Sequence, residues 1–114
     1  MKLVLIYILV ICLGHARAPI KSSRFEHLSG LRGTTDAKQA WDKRYGKQEY
    51  VFGKVPAQFL EESYRYIPPH STVLDIGMGE GRNAVFLAKK TLNVIGVDIS
   101  TVAVKQAHAL AKEN

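Results

Sequence analysis

Two helices are predicted in the first half of the chain, because apolar residues recur there at helical spacing. The first covers Asp36–Tyr45, with Thr35 as its N-cap and Gly46 as its stop. Its apolar stripe consists of Ala37, Ala40, Trp41 and Tyr45. The second helix covers 56–67 and opens at Pro56, since a proline loses no hydrogen bond in a first helical turn. Its predicted apolar face consists of Phe59, Leu60, Tyr64 and Ile67.

The second half of the chain alternates between continuous apolar runs and amphipathic stretches. The runs Val73–Ile76 and Asn93–Val97 predict two buried strands. A helix is predicted after each strand, over Arg82–Lys90 and Thr101–Lys112. The second of these is capped by Ser100 and turns Ala103, Ala107 and Leu110 inward. This order predicts parallel β/α units, and so a doubly wound, Rossmann-like α/β fold with helices before it.

Two parallel strands are too few for an independent sheet, which generally needs three or more. The pattern therefore predicts a domain that is truncated after its second β/α unit, or one that a partner completes. On this interpretation residues 36–114 are the N-terminal part of a larger domain.

The first 35 residues have a different character from the rest. Lys2 precedes an uncharged apolar run of 11 residues, Leu3–Leu13, and small residues follow at Gly14 and Ala16. This pattern predicts a secretory signal peptide over residues 1–16, cleaved after Ala16. The run is shorter than the roughly 20 residues of a membrane-spanning helix, although a short anchor or a start codon placed too early are alternatives. Residues 17–35 are polar and contain proline and glycine, which predicts a flexible linker.

Charge and composition argue against a nucleic-acid interface, an internal disulfide and a metal site. Sixteen Lys+Arg against ten Asp+Glu give a net charge of +6, but no basic block is longer than two residues. A solvated basic surface is therefore expected rather than a nucleic-acid interface. The one cysteine, Cys12, excludes an internal disulfide and a thiolate metal cluster. The four histidines lack metal-ligand spacing, so no metal site is predicted.

The stretch between the two predicted strands carries the candidate chemistry. Gly77, Gly79 and Gly81 alternate at the end of the first strand and lead into a helix. Glycine allows a tight turn and lets a ligand lie against bare backbone, while the helix start offers free N–H groups. A tight turn without a ligand would need one glycine rather than three. The loop therefore predicts a cofactor cleft at the carboxyl ends of the strands.

Two acids flank this loop. Asp75 precedes Gly77 by two residues, and Asp98 ends the second strand, where a carboxylate can accept hydrogen bonds from ribose hydroxyls. Either acid could instead have a local role, Asp75 as a cap and Asp98 as the start of a turn. Together they favour a cofactor that contains a nucleoside. Arg82 stands where a nicotinamide fingerprint has its third glycine, which counts against NAD.

The segments VLDIGMGEGRNAVFLA and VIGVDIS resemble the N-terminal half of a class I S-adenosylmethionine-dependent methyltransferase, whose first motif is D/E-x-G-x-G-x-G. The form with Gly81–Ala84, preceded by WDKRYG and YVFGKVPAQFL, is similar to the tellurite-resistance and thiopurine-type branch. The resemblance covers about Trp41–Asn114. Met78 stands where many relatives have cysteine, and Ala57 where relatives often have asparagine.

The resemblance implies a role for each matching residue. Gly77, Gly79 and Gly81 would line the methionine part of S-adenosylmethionine, with Asp75 supporting their loop. Asp98 would hold the ribose hydroxyls, Ile99 would pack on the adenine, and Arg82 and Asn83 would steady the start of the helix. A segment that closes over the active site would include Tyr50, Phe52 and Gly53, for which aromatic packing on the sheet is an equal alternative.

The function expected from this resemblance is in-line methyl transfer to a small-molecule or metalloid acceptor. Position and exclusion of water are the protein's main contributions to such a reaction, so no catalytic base is assigned, and Glu80 is expected to be exposed. A non-catalytic exported fragment and a nicotinamide-dependent oxidoreductase are the alternatives. No nucleic acid or membrane span is expected, and the oligomeric state stays open. The N-terminus predicts export, whereas this cofactor predicts the cytoplasm.

Overall fold

The computed structural model describes residues 24–27 and 34–114. The elements, in chain order, are β1 (Arg24–His27), α1 (Thr34–Tyr45), α2 (Gln58–Ser63), a 3-10 turn (Tyr64–Tyr66), β2 (Thr72–Ile76), α3 (Arg82–Lys89), β3 (Asn93–Asp98) and α4 (Thr101–Lys112). The predicted signal peptide, residues 1–16, lies outside the described residues.

The three strands form one parallel sheet in the order β1-β3-β2. Val73 pairs with Val94 and Asp75 with Gly96 between β2 and β3, and Phe25 pairs with Gly96 on the other edge of β3. The parallel α/β fold predicted from the two apolar runs is confirmed, with one more strand than the pattern indicated.

β1 corrects the prediction that residues 17–35 form a flexible linker. The segment RFEH has only one strongly apolar residue, Phe25, so its sequence carries no strand pattern. In the fold, β3 offers an open edge for backbone hydrogen bonds and Phe25 becomes buried against the core. His108 of α4 adds a contact of 3.1 Å between its Nε2 and the Phe25 carbonyl oxygen. Contacts with β3, the core and α4 therefore make this segment a strand.

The core lies between one face of the sheet and the helices α3 and α4. Val73 and Val94 are fully buried at its centre, with Leu87 of α3 and Leu110 of α4 in the same cluster. Ser100 caps α4 by accepting a hydrogen bond from the Ala103 N–H at 3.1 Å, as predicted from the sequence. This packing places the carboxyl ends of β2 and β3 side by side, where the glycine loop begins.

The helix α1 begins two residues earlier than predicted and is buried less. Of its predicted stripe, Ala37 and Ala40 are exposed, Trp41 is half-buried and Tyr45 is buried. Asp42 fixes α1 to α4, because its carboxylate accepts hydrogen bonds from the Ser100 hydroxyl (2.6 Å) and the Val102 N–H (3.3 Å). The polar contacts of Asp42 therefore hold α1 in place, whereas the sequence pattern predicted that its apolar stripe would do so.

The second predicted helix, 56–67, is shorter in the structure. Pro56 precedes α2 by two residues, and the last turn tightens into the 3-10 turn. Within α2, Leu60 is buried, whereas its neighbour Phe59 lies about 100° further around the helix and is 74% exposed, so the predicted inward position of Phe59 is wrong. Among the described residues, no helix is both long enough and apolar enough to cross a membrane.

Candidate functional site

The glycine loop connects β2 to α3 and needs glycine at three positions. Gly77, Gly79 and Gly81 have φ values of 71°, 57° and 84°, in the left-handed region that side chains disfavour. The space available to a side chain differs among the three positions. A Cβ on Gly77 would meet nothing within 4 Å, one on Gly79 would lie 2.8 Å from the Tyr45 hydroxyl oxygen, and one on Gly81 would lie 2.7 Å from the Cβ of Ala107. Gly77 therefore borders open space, whereas the other two allow close packing.

A cleft of about 240 Å³ opens beside this loop. Its walls combine the loop with aromatic residues from the N-terminal part of the chain. The lining residues are Trp41, Tyr45, Phe52, Gly53, Ile76, Gly77, Met78, Gly79, Glu80, Arg82 and Asn83. Sites that enclose a whole small-molecule ligand measure about 300–1,000 Å³, so this cleft has room for only part of such a ligand.

The structure brings together six of the residues selected from the sequence. Gly77, Gly79, Arg82, Asn83, Phe52 and Gly53 all line the cleft. Gly81 lies just behind the wall, as the residue that caps α3. Tyr50 points elsewhere, since its hydroxyl donates to the Gln106 carbonyl oxygen at 3.4 Å and its ring lies under the Lys54 ammonium. Ile99 is half-buried and does not line the cleft.

Asp98 lies at the end of β3 and holds the loop from below. One carboxylate oxygen accepts a hydrogen bond from the Gly79 N–H and the other accepts one from the Ser100 N–H, both at 2.8 Å. The side chain is buried and outside the cleft wall. Because each carboxylate oxygen can accept a second hydrogen bond, these contacts leave acceptor capacity for a ligand hydroxyl.

Asp75 is the more deeply buried acid. Burial, and secondarily the negative charge of Asp98, raise the pKa of Asp75 to about 6. Its Oδ2 atom has no hydrogen-bond partner among the described residues. The carboxyl group of Asp75 therefore loses its proton less readily than that of a free aspartate, and it does not line the cleft.

Glu80 is buried, so the expectation that it is exposed is wrong. Only 4% of the residue is accessible, and its Oε2 atom accepts a hydrogen bond from the Val51 N–H at 2.8 Å. Burial raises the pKa of this carboxyl, while hydrogen bonds from the backbone of Val51 and Phe52 lower it part of the way back. The local sequence pattern does not indicate the burial of Glu80, because its partner Val51 lies 29 residues earlier in the chain.

The residues after Glu80 hold the same segment. Arg82 donates from Nη1 to the carbonyl oxygens of Phe52 (3.2 Å) and Val55 (3.4 Å). Asn83 accepts a hydrogen bond from the Ala57 N–H at 2.8 Å through its Oδ1 atom. The segment 51–57 is therefore attached to the junction between the glycine loop and α3.

Trp41 and Tyr45 line the cleft, although the sequence pattern predicted only that they belong to the apolar stripe of the first helix. Their rings stack at 5.5 Å, and the Phe52 ring meets Tyr45 edge-on at 6.5 Å. Burial, followed by the nearby charges of Asp98 and Glu80, raises the pKa of Tyr45 to about 12, which keeps the hydroxyl protonated. The sequence did contain an indication of this aromatic wall, because the two aromatic residues of WDKRYG lie on one helical face.

The chemistry available to the site is polar contact and shape rather than nucleophilic attack. No group of three or more metal-ligating side chains occurs within residues 24–27 and 34–114. The cleft combines bare glycine backbone, an aromatic wall and the carboxylates of Glu80 and Asp98 close by. These features fit a ligand with polar groups better than a purely apolar one.

Residues 73–114 match the model of a protein family described as "Methyltransferase domain". A search of the curated proteins and a search of the solved structures returned no significant match. The matched residues contain β2, the glycine loop, α3, β3 and α4. The parallel sheet in the order β1-β3-β2 is consistent with a partial Rossmann-like methyltransferase fold. Over residues 73–114 the chain is therefore similar to a methyltransferase domain, and the enzyme class that this similarity indicates is methyltransferase.

Proposed function

We propose that the chain binds S-adenosylmethionine at the glycine loop and takes part in methyl transfer to a small-molecule or metalloid acceptor. The observation that carries the proposal is the loop itself, in which three glycines with positive φ border a cleft inside the matched segment. The similarity to the tellurite-resistance and thiopurine-type branch supports a small acceptor with a soft nucleophilic atom.

The proposed cofactor contacts combine glycines that line the cleft with two residues at the end of β3 that lie next to it. Gly77 would lie against the amino-acid part, because a Cβ there would project into open space, and Gly79 lines the same cleft and would lie beside it. Asp98 would accept hydrogen bonds from the ribose hydroxyls through the acceptor capacity that its two backbone contacts leave. Ile99 would pack on the adenine.

The other proposed residues act on the loop or on the acceptor side. Asp75 and Gly81 would support the loop from below, and Arg82 and Asn83 would keep its junction with α3 in place. Phe52 and Gly53 line the outer part of the cleft, where an acceptor would enter. Tyr50 would belong to the same segment without touching the acceptor, since its hydroxyl faces Gln106.

The bound cofactor would supply an activated methyl group on a sulfonium. The chain's own contribution is then to orient the two reactants and to exclude water, which the aromatic wall of Trp41, Tyr45 and Phe52 can do. We assign no catalytic base. A soft acceptor that is already anionic loses no proton on methylation, and Tyr45, with its pKa raised to about 12, stays neutral at physiological pH.

Calorimetric titration of the full chain with S-adenosylhomocysteine tests the proposal. We expect binding that the Asp98→Asn variant weakens about tenfold or more, because an amide cannot match a carboxylate as an acceptor. Asp36→Asn, an exposed acid on α1, is the matched control and should bind like the wild type. Absence of binding by a folded wild-type chain would contradict the proposal. Stronger binding of NAD than of S-adenosylhomocysteine would favour the oxidoreductase alternative.

A further inference from the structure

Glu80 is a buried carboxylate whose position the proposed chemistry does not require. It belongs to the glycine loop, yet among the described residues its carboxylate accepts hydrogen bonds from the backbone of Val51 and Phe52, in a segment that lies outside the matched residues 73–114. A buried charged side chain is costly unless it is paired, so its hydrogen bond to Val51 contributes substantially to holding both parts in place.

The segment 51–57 has few other reasons to lie where it does. It forms turns and bends without helix or strand pairing, and Phe52 and Val55 are 41% and 69% exposed. Apart from the ring contacts of Phe52, including that with Tyr45, and the packing of Ala57 on the core, its attachments to the body of the fold are hydrogen bonds. They are the Val51 N–H on Glu80, the Phe52 and Val55 carbonyls on Arg82, the Ala57 N–H on Asn83 and the Lys54 ammonium on Glu113. Three of these four holding side chains are neighbours at the loop–α3 junction.

The same segment forms the outer wall of the cleft. The Phe52 ring lies near the guanidinium groups of Arg44 (5.3 Å) and Arg82 (5.8 Å) and meets Tyr45 edge-on. Phe52 and Gly53 line the cleft together with Gly77 and Gly79. The hydrogen bond of Glu80 therefore links the glycine loop directly to the wall that faces the ligand.

We propose that Glu80 is a positioning residue that couples ligand binding at the glycine loop to the placement of Phe52 over the cleft. A ligand that orders the loop fixes the Glu80 carboxylate, and that carboxylate fixes the Val51 N–H and the Phe52 ring next to it. The inference rests on the proposed function, since it uses the cofactor as the ligand that orders the loop.

A double-mutant cycle on the full chain tests the coupling. The dissociation constant of S-adenosylhomocysteine is measured for the wild type, Glu80→Ala, Phe52→Ala and the double variant. We expect Glu80→Ala to weaken binding about tenfold in the wild-type background and less than threefold when Phe52 is already absent, because both changes remove the same wall. Equal weakening in both backgrounds means that Glu80 acts on the loop alone and overturns the inference.

Two further variants separate positioning from general damage. Glu80→Gln keeps an amide oxygen that can accept the Val51 N–H, so it should restore binding to within about threefold of the wild type. A loss as large as that of Glu80→Ala would contradict the hydrogen-bond role. Glu49→Gln, an exposed acid just before the segment, is the control and should change nothing. Circular dichroism of each variant shows whether it is folded.

Amide exchange measured by NMR gives an independent readout. Saturating S-adenosylhomocysteine should slow exchange at Val51 and Phe52 at least several-fold in the wild type, and this slowing should disappear in Glu80→Ala. Ligand binding without any slowing at these amides overturns the coupling and leaves the proposed function intact. Failure of the folded wild type to bind the ligand overturns both.

Discussion

The Cβ of Ala107 lies 2.7 Å from the position that a Cβ on Gly81 would occupy. The start of α3 and the middle of α4 therefore approach each other as closely as backbone permits. Gly81 is thus a packing residue, whereas Gly77, at the other end of the same loop, borders open space. The two glycines serve the site for different physical reasons.

Replacing these two glycines by alanine should cost different amounts of stability. Gly77→Ala incurs only the strain of a positive φ, about 1 kcal/mol. Gly81→Ala adds a clash with Ala107 and should lower the free energy of unfolding by about 3 kcal/mol. Urea denaturation of both variants measures the difference. Equal losses would show that α4 shifts away from the loop without cost.

Met78 and Gly96 should behave as a coupled pair. A Cβ on Gly96 would lie 2.2 Å from the Met78 sulfur and 3.2 Å from the Phe25 ring, so Gly96→Ala should destabilise the fold by about 1–3 kcal/mol. Shortening Met78 to alanine removes the nearer obstacle. We therefore expect the double variant to be more stable than the sum of the two single losses predicts. Additive losses in urea denaturation would place the strain at Phe25 instead.

The contact of Asp42 with α4 should depend on pH. Burial raises the pKa of Asp42, but hydrogen bonds from Lys38, Ser100 and Val102 outweigh it and lower the pKa to about 2. A lowered carboxyl pKa adds stability that is complete above the unfolded value, near 3.8, and is lost as the pH falls toward 2. Asp42→Asn should therefore cost about 1 kcal/mol at pH 6 and progressively less below pH 4. Thermal unfolding of both proteins between pH 2 and pH 6 measures this difference, and a constant difference would contradict the ionic role.

Asp75 should show the opposite dependence. Its pKa is raised to about 6 by burial, with a smaller contribution from Asp98, so the folded state binds a proton more tightly than the unfolded state. The wild type should therefore lose stability as the pH rises from about 4 through 6, by roughly 2–3 kcal/mol. Asp75→Asn removes this loss and should be the more stable protein at pH 7.5 but not at pH 3.5. Urea denaturation at the two pH values tests the sign, with the exposed Asp36→Asn as control. A stabilised wild type at pH 7.5 would mean that the carboxylate has a partner when ionised.

Much of the architecture was readable from local pattern. The apolar runs at 73–76 and 93–97 predicted β2 and β3, because strands covered by helices are continuously apolar. Ser100 predicted the start of α4, because its hydroxyl satisfies a free N–H of the first turn. The alternating glycines predicted a tight turn between β2 and α3, and all three have positive φ angles.

Contacts between distant parts of the chain could not be predicted from the sequence. β1 has no strand pattern of its own and forms because β3 offers an open edge. Paired residues of the two strands, such as Phe25 and Gly96, are 71 positions apart in the chain. The burial of Glu80 depends on Val51, and the cleft wall depends on Trp41 and Tyr45 of α1 reaching the glycine loop. The sequence alone determined where the loop and its flanking strands and helices lie, since these follow from periodicity and backbone preference. Only the tertiary structure decided what closes over the loop, because a hydrogen bond or ring contact across the fold has no periodic signal in the chain.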